Sequence, residues 1–190
     1  MMGQLIVMGA SLGGLQALTT ILGGLPGTFS VPLAIVQHRA RETRSSLRSW
    51  LQEACPLPIS EVEDKEPIMP GHVYLAPADY HMLVEQHAFA LSTDAPVWHA
   101  RPAIDVLFLS AADVYGAQLV GVVLTGASQD GAQGLAAIKQ RGGLALVQEP
   151  ATAESRVMPD AAAAAGPVDA LLPLDAIAPF LIERCGAIAE

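Results

Sequence analysis

Three side chains that together could cleave an ester stand at the ends of three apolar runs. Gln4-Leu5-Ile6-Val7-Met8 leads into Gly9-Ala10-Ser11-Leu12-Gly13-Gly14. Leu33-Ala34-Ile35-Val36-Gln37 ends in His38. The run from Leu119 to Leu124 leads into Thr125-Gly126-Ala127-Ser128-Gln129-Asp130-Gly131. A serine hydroxyl is a poor nucleophile at neutral pH and needs a base. An imidazole titrates near neutrality, so His38 could take that proton and return it to a leaving group. The carboxylate of Asp130 could fix the ring tautomer and stabilise the imidazolium. The glycines around Ser11 favour a sharp strand-to-helix turn, where the N–H groups of Leu12 and Gly13 could receive an oxyanion.

Each residue also has a plainer reading. Ser11 could cap the helix that follows it, and Asp130 could cap a helix over 130–140. His38 could be a satisfied structural histidine. A dinucleotide fingerprint needs G-x-G-x-x-G, but Ser11 replaces its middle glycine. His38 also stands where an acidic residue would hold the ribose. Gly9-x-Ser11-x-Gly13 does fit the G-x-S-x-G elbow of α/β-hydrolases. There, however, the partners follow in the order Ser, Asp, His, and here the order is Ser, His, Asp.

The elements that must position these groups alternate. The patterns predict strand 4–9, helix 13–23, strand 32–38 and helix 42–54. Short strands near 59–63 and 72–77 and a β-hairpin from His81 to Ser92 follow. A helix opens after Arg101-Pro102, with Pro102 suited to its first turn. Then come strand 119–124, helix 130–140, strand 144–148, a short helix at 159–165, strand 169–173 and a last helix to about Cys185. This alternation predicts an α/β fold: a doubly wound, mainly parallel sheet with helices on both faces, plus the small hairpin. The carboxyl ends of its parallel strands share one edge, so residues 11, 38 and 130 can meet there. Residues 1–190 read as one domain, without repeats or a linker.

Composition excludes several classes. At 190 residues with 52% hydrophobic and 15% charged side chains, the chain can build a core. A net charge of -9 without a basic run argues against nucleic acid as a partner. Two distant cysteines, Cys55 and Cys185, and the lack of an export signal or an 18-residue apolar run fit a reduced, cytoplasmic chain that does not insert into membranes. His72, His81, His87 and His99 lack metal-ligand spacing. Trp50 and Trp98 read as packing anchors, Asp105 as a solvent-side helix residue, and Glu61 to Glu66 as a solvated loop. Arg39, Arg41 and Arg44 cluster after His38 and could draw in an acidic substrate, although an ordinary solvated loop explains them too.

With those residues in view, the chain resembles the catalytic domain of bacterial chemotaxis receptor methylesterases, the CheB family. Five segments carry the resemblance in order. They are 6–14 around Ser11, Ile35-Val36-Gln37-His38, 73–82, 101–108 beginning Arg101-Pro102, and 123–134 around Asp130. The resemblance implies a triad of Ser11, His38 and Asp130, with no cofactor or metal. It implies hydrolysis of glutamate γ-methyl esters on receptor signalling helices, with methanol released, and deamidation of receptor glutamines. Leu12 stands where the family usually has threonine, and Ala127-Ser128 where it usually has Met-Gly. The resemblance implies that the backbone of that second loop, Ala127 included, helps form the oxyanion site, and serine tolerates a left-handed backbone poorly. Typical members also carry a receiver domain ahead of the catalytic one. Its absence here predicts a stand-alone esterase, controlled by expression or by a partner such as a separate response regulator. Two other readings stay open: a non-catalytic domain binding receptor helices or a receptor methyltransferase, and an esterase for another substrate.

Overall fold

β1 (Leu5–Ala10) is buried along its whole length because both of its faces are covered. Leu5 and Val7 join one apolar cluster, while Ile6, Met8 and Ala10 join another. This is why its sequence is continuously apolar rather than alternating. The structure, a computed structural model, describes residues 3–39 and 46–185. After β1 come α1 (Gly14–Gly23), β2 (Leu33–Gln37), α2 (Ser46–Ala54), β3 (Ile59–Glu61) and β4 (Val73–Leu75). The hairpin strands β5 (His81–Glu85) and β6 (Ala88–Ser92) precede α3 (Ile104–Tyr115), β7 (Leu119–Val123) and α4 (Ala132–Gln140). β8 (Leu144–Gln148), α5 (Val157–Ala165), β9 (Ala170–Leu172) and α6 (Leu174–Cys185) complete the order.

Seven strands form one sheet in the order β3-β4-β2-β1-β7-β8-β9, with every recorded pairing parallel. β5 and β6 pair antiparallel apart from it. The expected doubly wound sheet with a separate hairpin is therefore what forms. Leu18, Ile21 and Leu22 of α1, Leu51 of α2 and Leu181 of α6 pack on one face. Leu107 and Phe108 of α3, Ile138 of α4, Met158 of α5 and Phe89 of the hairpin pack on the other. The chain runs outward from β1 through β2 on one side and through β7 on the other. The order thus reverses at the β1–β7 junction, the place where such sheets leave a crevice beyond their carboxyl ends.

One element differs in its start. Pro102 is not in the first turn of α3: the helix begins at Ile104 with Ala103 as its N-cap, and the Arg101–Pro102 bond is cis. The expected start of a helix at 42 falls outside the described residues, and the helix is described from Ser46.

Candidate active site

Register brings the first two candidates side by side. Ala10 of β1 is level with Gln37 of β2, and the pairing continues past both strands through His38 N–H donating to the Ala10 carbonyl at 2.9 Å. On the other flank, Ser11 N–H donates to the Thr125 carbonyl at 3.0 Å, just beyond β7. Neighbouring strands lie about 4.8 Å apart, so Ser11 emerges between the histidine strand and the aspartate loop.

Asp130 reaches this edge although its side chain is wholly buried. His38 Nε2 lies 2.7 Å from its Oδ2. Oδ2 also accepts the Ile104 N–H at 2.6 Å, and Oδ1 accepts the Asp105 N–H at 2.8 Å. Asp130 therefore caps a helix, but α3 rather than the α4 that follows it. The N-cap of α4 is Gly131, and that of α1 is Gly13, so neither Ser11 nor Asp130 caps its own helix. Both carboxylate oxygens face N–H donors. The Nε2 atom of His38 must then carry the proton, and Nδ1 keeps a lone pair for a base.

Ser11 is held by its backbone. Its carbonyl accepts Gln37 Nε2–H at 2.8 Å and Gly14 N–H at 2.9 Å. The same Gln37 nitrogen donates to the His38 carbonyl at 2.9 Å, so one amide ties the serine turn to the histidine turn. Thr125 Oγ1–H donates to the Leu12 carbonyl at 2.8 Å. A Cβ on Gly126 would come within 2.8 Å of Ser11 Cβ, so only glycine lets that loop pass so close. Among the described residues Ser11 Oγ makes no hydrogen bond, to His38 or to any other group. Such contacts in ligand-free enzymes often close only with substrate bound.

The expected oxyanion donors fall in different places. Among the described residues the N–H groups of Leu12, Gly13 and Ala127 have no protein acceptor, whereas Gly126 N–H donates to the Ser155 carbonyl. Ala127 lines the cleft with Ser11 and His38. Gly13 lines a separate hollow beside Glu154, in a left-handed conformation (φ 78°) where a Cβ would meet Glu154 Cβ at 2.6 Å. The Leu12 side chain is largely exposed, so the departure from threonine alters the surface rather than the packing. Ser128 has no left-handed backbone, and its hydroxyl accepts the Asp130 N–H at 3.1 Å. The Ala127-Ser128 departure therefore adds a bond that braces the aspartate.

The cleft has a volume of about 770 Å³, and Trp98, His99 and Arg101 line it together with Ser11. Arg101 is pinned by Asp79 at 2.7 Å and by the carbonyls of Thr93 and Asp94. Arg39 also lines the cleft, but its guanidinium is buried and donates to Glu61 at 2.7 Å and to the Ala76 carbonyl at 3.0 Å. That pairing makes Arg39 structural and brings Glu61 out of the expected solvated loop. Any docking role for the arginine cluster falls to Arg41 and Arg44, which lie outside the described residues.

Two expectations need correction. Asp105 is not on the solvent side: it is 4% exposed and accepts Gly134 N–H at 2.7 Å and Trp98 Nε1–H at 2.9 Å. Trp50 and Trp98 are not buried anchors, being 54% and 43% exposed. The helix pattern misplaced Asp105 because α3 packs its acidic first turn on α4, a contact no local period records. Burial pushes the Asp105 carboxyl above its ordinary range, and nearby Asp130 adds to this, against the N–H donors. A raised acid favours the fold when protonated. Its contribution is full below the unfolded value near about 4 and is lost as pH rises through the folded one. Chemical denaturation of wild type and Asp105→Asn across pH is expected to show wild type losing ground to the variant as pH rises. A difference independent of pH would mean the donors fully offset burial.

Two of the remaining histidines are structural, and His99 lines the cleft. His81 is buried between the Ala95 carbonyl and the Ala103 N–H, and His72 meets Ser60 Oγ at 3.0 Å. Among the described residues no group of three His, Cys, Asp or Glu could hold a metal, and no helix is long and apolar enough to cross a membrane. Gln37, Thr125, Asp105 and Trp98 went unnoticed as site residues. Only Gln37 carried a signal, as the polar end of an otherwise buried strand.

Comparison with known proteins finds similarity over most of the chain. The family model described as CheB methylesterase matches residues 6–181. A relative from Leptospira interrogans, provisionally named a protein-glutamate methylesterase/protein-glutamine glutaminase, is 47% identical over 180 residues, covering 94% of this chain and 93% of that one. A protein given that double name from Anaeromyxobacter dehalogenans is 41% identical over 174 residues, and one from Carboxydothermus hydrogenoformans 42% over 181. Each match covers 92% of this chain, which spans about half of those two relatives (51% and 53%). The crystal structure of the Thermotoga maritima CheB methylesterase catalytic domain superposes with a TM-score of 0.93 at 33% identity, covering 96% of this chain and 99% of that one.

Proposed function

This chain belongs to the CheB methylesterase family, and we propose that it hydrolyses γ-methyl esters of glutamate on chemotaxis receptor helices in the cytoplasm. The observation that carries the reading is the His38–Asp130 pair at 2.7 Å in the same cleft as Ser11. Ser11 Oγ attacks the ester carbonyl while His38 Nδ1 takes its proton. The N–H groups of Ala127 and Leu12 receive the oxyanion. Collapse of the tetrahedral intermediate breaks the bond to methoxide, which leaves as methanol with the proton from His38. An acyl-serine remains. Water, deprotonated by His38, attacks that acyl group and frees the glutamate carboxylate and Ser11. With glutamine as substrate the leaving group is ammonia, and the same steps give deamidation. No step requires a cofactor or metal.

The test is release of volatile methanol from radiomethylated receptor cytoplasmic fragments. Release by the wild-type chain at enzyme-like rates supports the reading. Binding of the fragments without release would instead identify a non-catalytic interaction domain. Turnover of small esters alone would point to another substrate.

A further inference from the structure

Residues 97–100 form a two-residue hairpin turn on the cleft wall. Val97 N–H donates to the Ala100 carbonyl at 3.1 Å, and Ala100 N–H donates back to Val97 at 2.9 Å. The two central residues are Trp98 (φ 51°) and His99 (φ 61°), both left-handed as in a type I′ turn. Such turns strongly prefer Asn-Gly, and a bulky side chain at positive φ is costly. Strain of this kind gathers at binding sites, where the surrounding structure maintains it.

Here the maintenance is visible. Trp98 Nε1–H donates to buried Asp105 Oδ2, and the backbone N–H of the same Asp105 donates to Asp130. The indole is thus fixed through its N–H while 43% of the residue stays exposed on the cleft wall. One glutamyl ester fills little of a cleft of about 770 Å³. Space remains along Trp98 for the residues that flank the ester. On a helical substrate those are the neighbours three and four positions away.

We propose that Trp98 is a specificity-determining residue that packs against an apolar side chain one helical turn from the esterified glutamate. The inference rests on the esterase reading above. Trp98 contributes binding of the flanking segment, and the bond-making steps stay with Ser11, His38 and Asp130.

Two esters separate these contributions: p-nitrophenyl acetate, and a helical peptide bearing one glutamate γ-methyl ester with leucine four residues away. Trp98→Ala is expected to raise KM for the peptide about tenfold, the usual scale for an aromatic anchor, and to lower kcat/KM for the peptide severalfold more than for the acetate. Trp98→Phe keeps a ring but gives up the N–H, and is expected to hold KM within about threefold of wild type. An unchanged peptide KM in Trp98→Ala would overturn the proposal. So would an equal loss on both esters, which would show Trp98 acting through Asp105 on the base, or a Trp98→Phe variant as weak as Trp98→Ala. If wild type cleaves the acetate but not the peptide, the receptor-esterase reading fails and takes this inference with it; that result needs no Trp98 variant, so the two failures are told apart.

Discussion

Asp130→Asn is expected to lower kcat for methyl ester hydrolysis by about 10⁴-fold and to destabilise the fold at the same time. The two losses share one cause. Both carboxylate oxygens accept backbone N–H groups of α3, and Oδ2 also accepts from His38 Nε2. An asparagine must place its NH2 at one of these positions. Placed at Oδ2, it donates to Nε2, forces the imidazole proton onto Nδ1, where the lone pair for Ser11 is needed, and leaves the buried Ile104 N–H without its acceptor. Placed at Oδ1, it confronts the Asp105 N–H and leaves a buried donor without an acceptor. That conflict costs about 1–3 kcal/mol. For a chain of this size each kcal/mol lowers Tm by about 2–4 °C. Steady-state kinetics and thermal unfolding on one preparation check both parts. Full activity with a lowered Tm would reduce Asp130 to a helix cap. Lost activity with an unchanged Tm would show that the two α3 bonds carry no stability.

The meeting of Ser11, His38 and Asp130 at one sheet edge was legible in the sequence because each follows an apolar run, and parallel strands deliver their carboxyl ends to one edge. The same logic placed the sheet and the separate hairpin. What it could not see were contacts set by how helices pack over that edge. Asp105 looked like a solvent residue because one acidic side chain in a first turn is ordinary. Only the approach of Gly134 on α4 and the Trp98 turn makes its burial tolerable. By residue type Trp98 reads as a packing anchor, since its left-handed turn carries none of the Asn or Gly residues that announce one. Arg39 looked available for an acidic substrate because its partner Glu61 comes from the distant edge strand β3. Ser128, where family members usually have glycine, suggested strain in the aspartate loop. The backbone there is not left-handed, and the hydroxyl braces Asp130 instead.

Ser11→Ala is expected to abolish turnover while leaving the fold intact, which separates it from Asp130→Asn. On Ser11 itself only backbone atoms hold the turn: its N–H donates to Thr125, and its carbonyl accepts from the Gln37 side chain and from Gly14 N–H. Alanine keeps all three bonds. Among the described residues Ser11 Oγ has no partner to lose, and its replacement strands no buried group. Stability should therefore stay within about 0.5 kcal/mol of wild type. Removing a serine nucleophile elsewhere costs about 10⁶-fold in kcat, and the residual rate over water comes from oxyanion donors and substrate binding. Methanol release by the variant should then fall below detection in a routine assay, while its affinity for methylated receptor fragments is kept. A variant that still releases methanol at the wild-type rate would exclude Ser11 as the nucleophile. A variant that loses both release and fragment binding would show that the hydroxyl holds substrate, a role the empty hydrogen-bonding capacity of Oγ leaves open to the ester alone. Retained binding with lost release is the outcome expected of the proposed mechanism: a turn fixed through the backbone of Ser11, offering an unengaged hydroxyl in the cleft that His38 also lines.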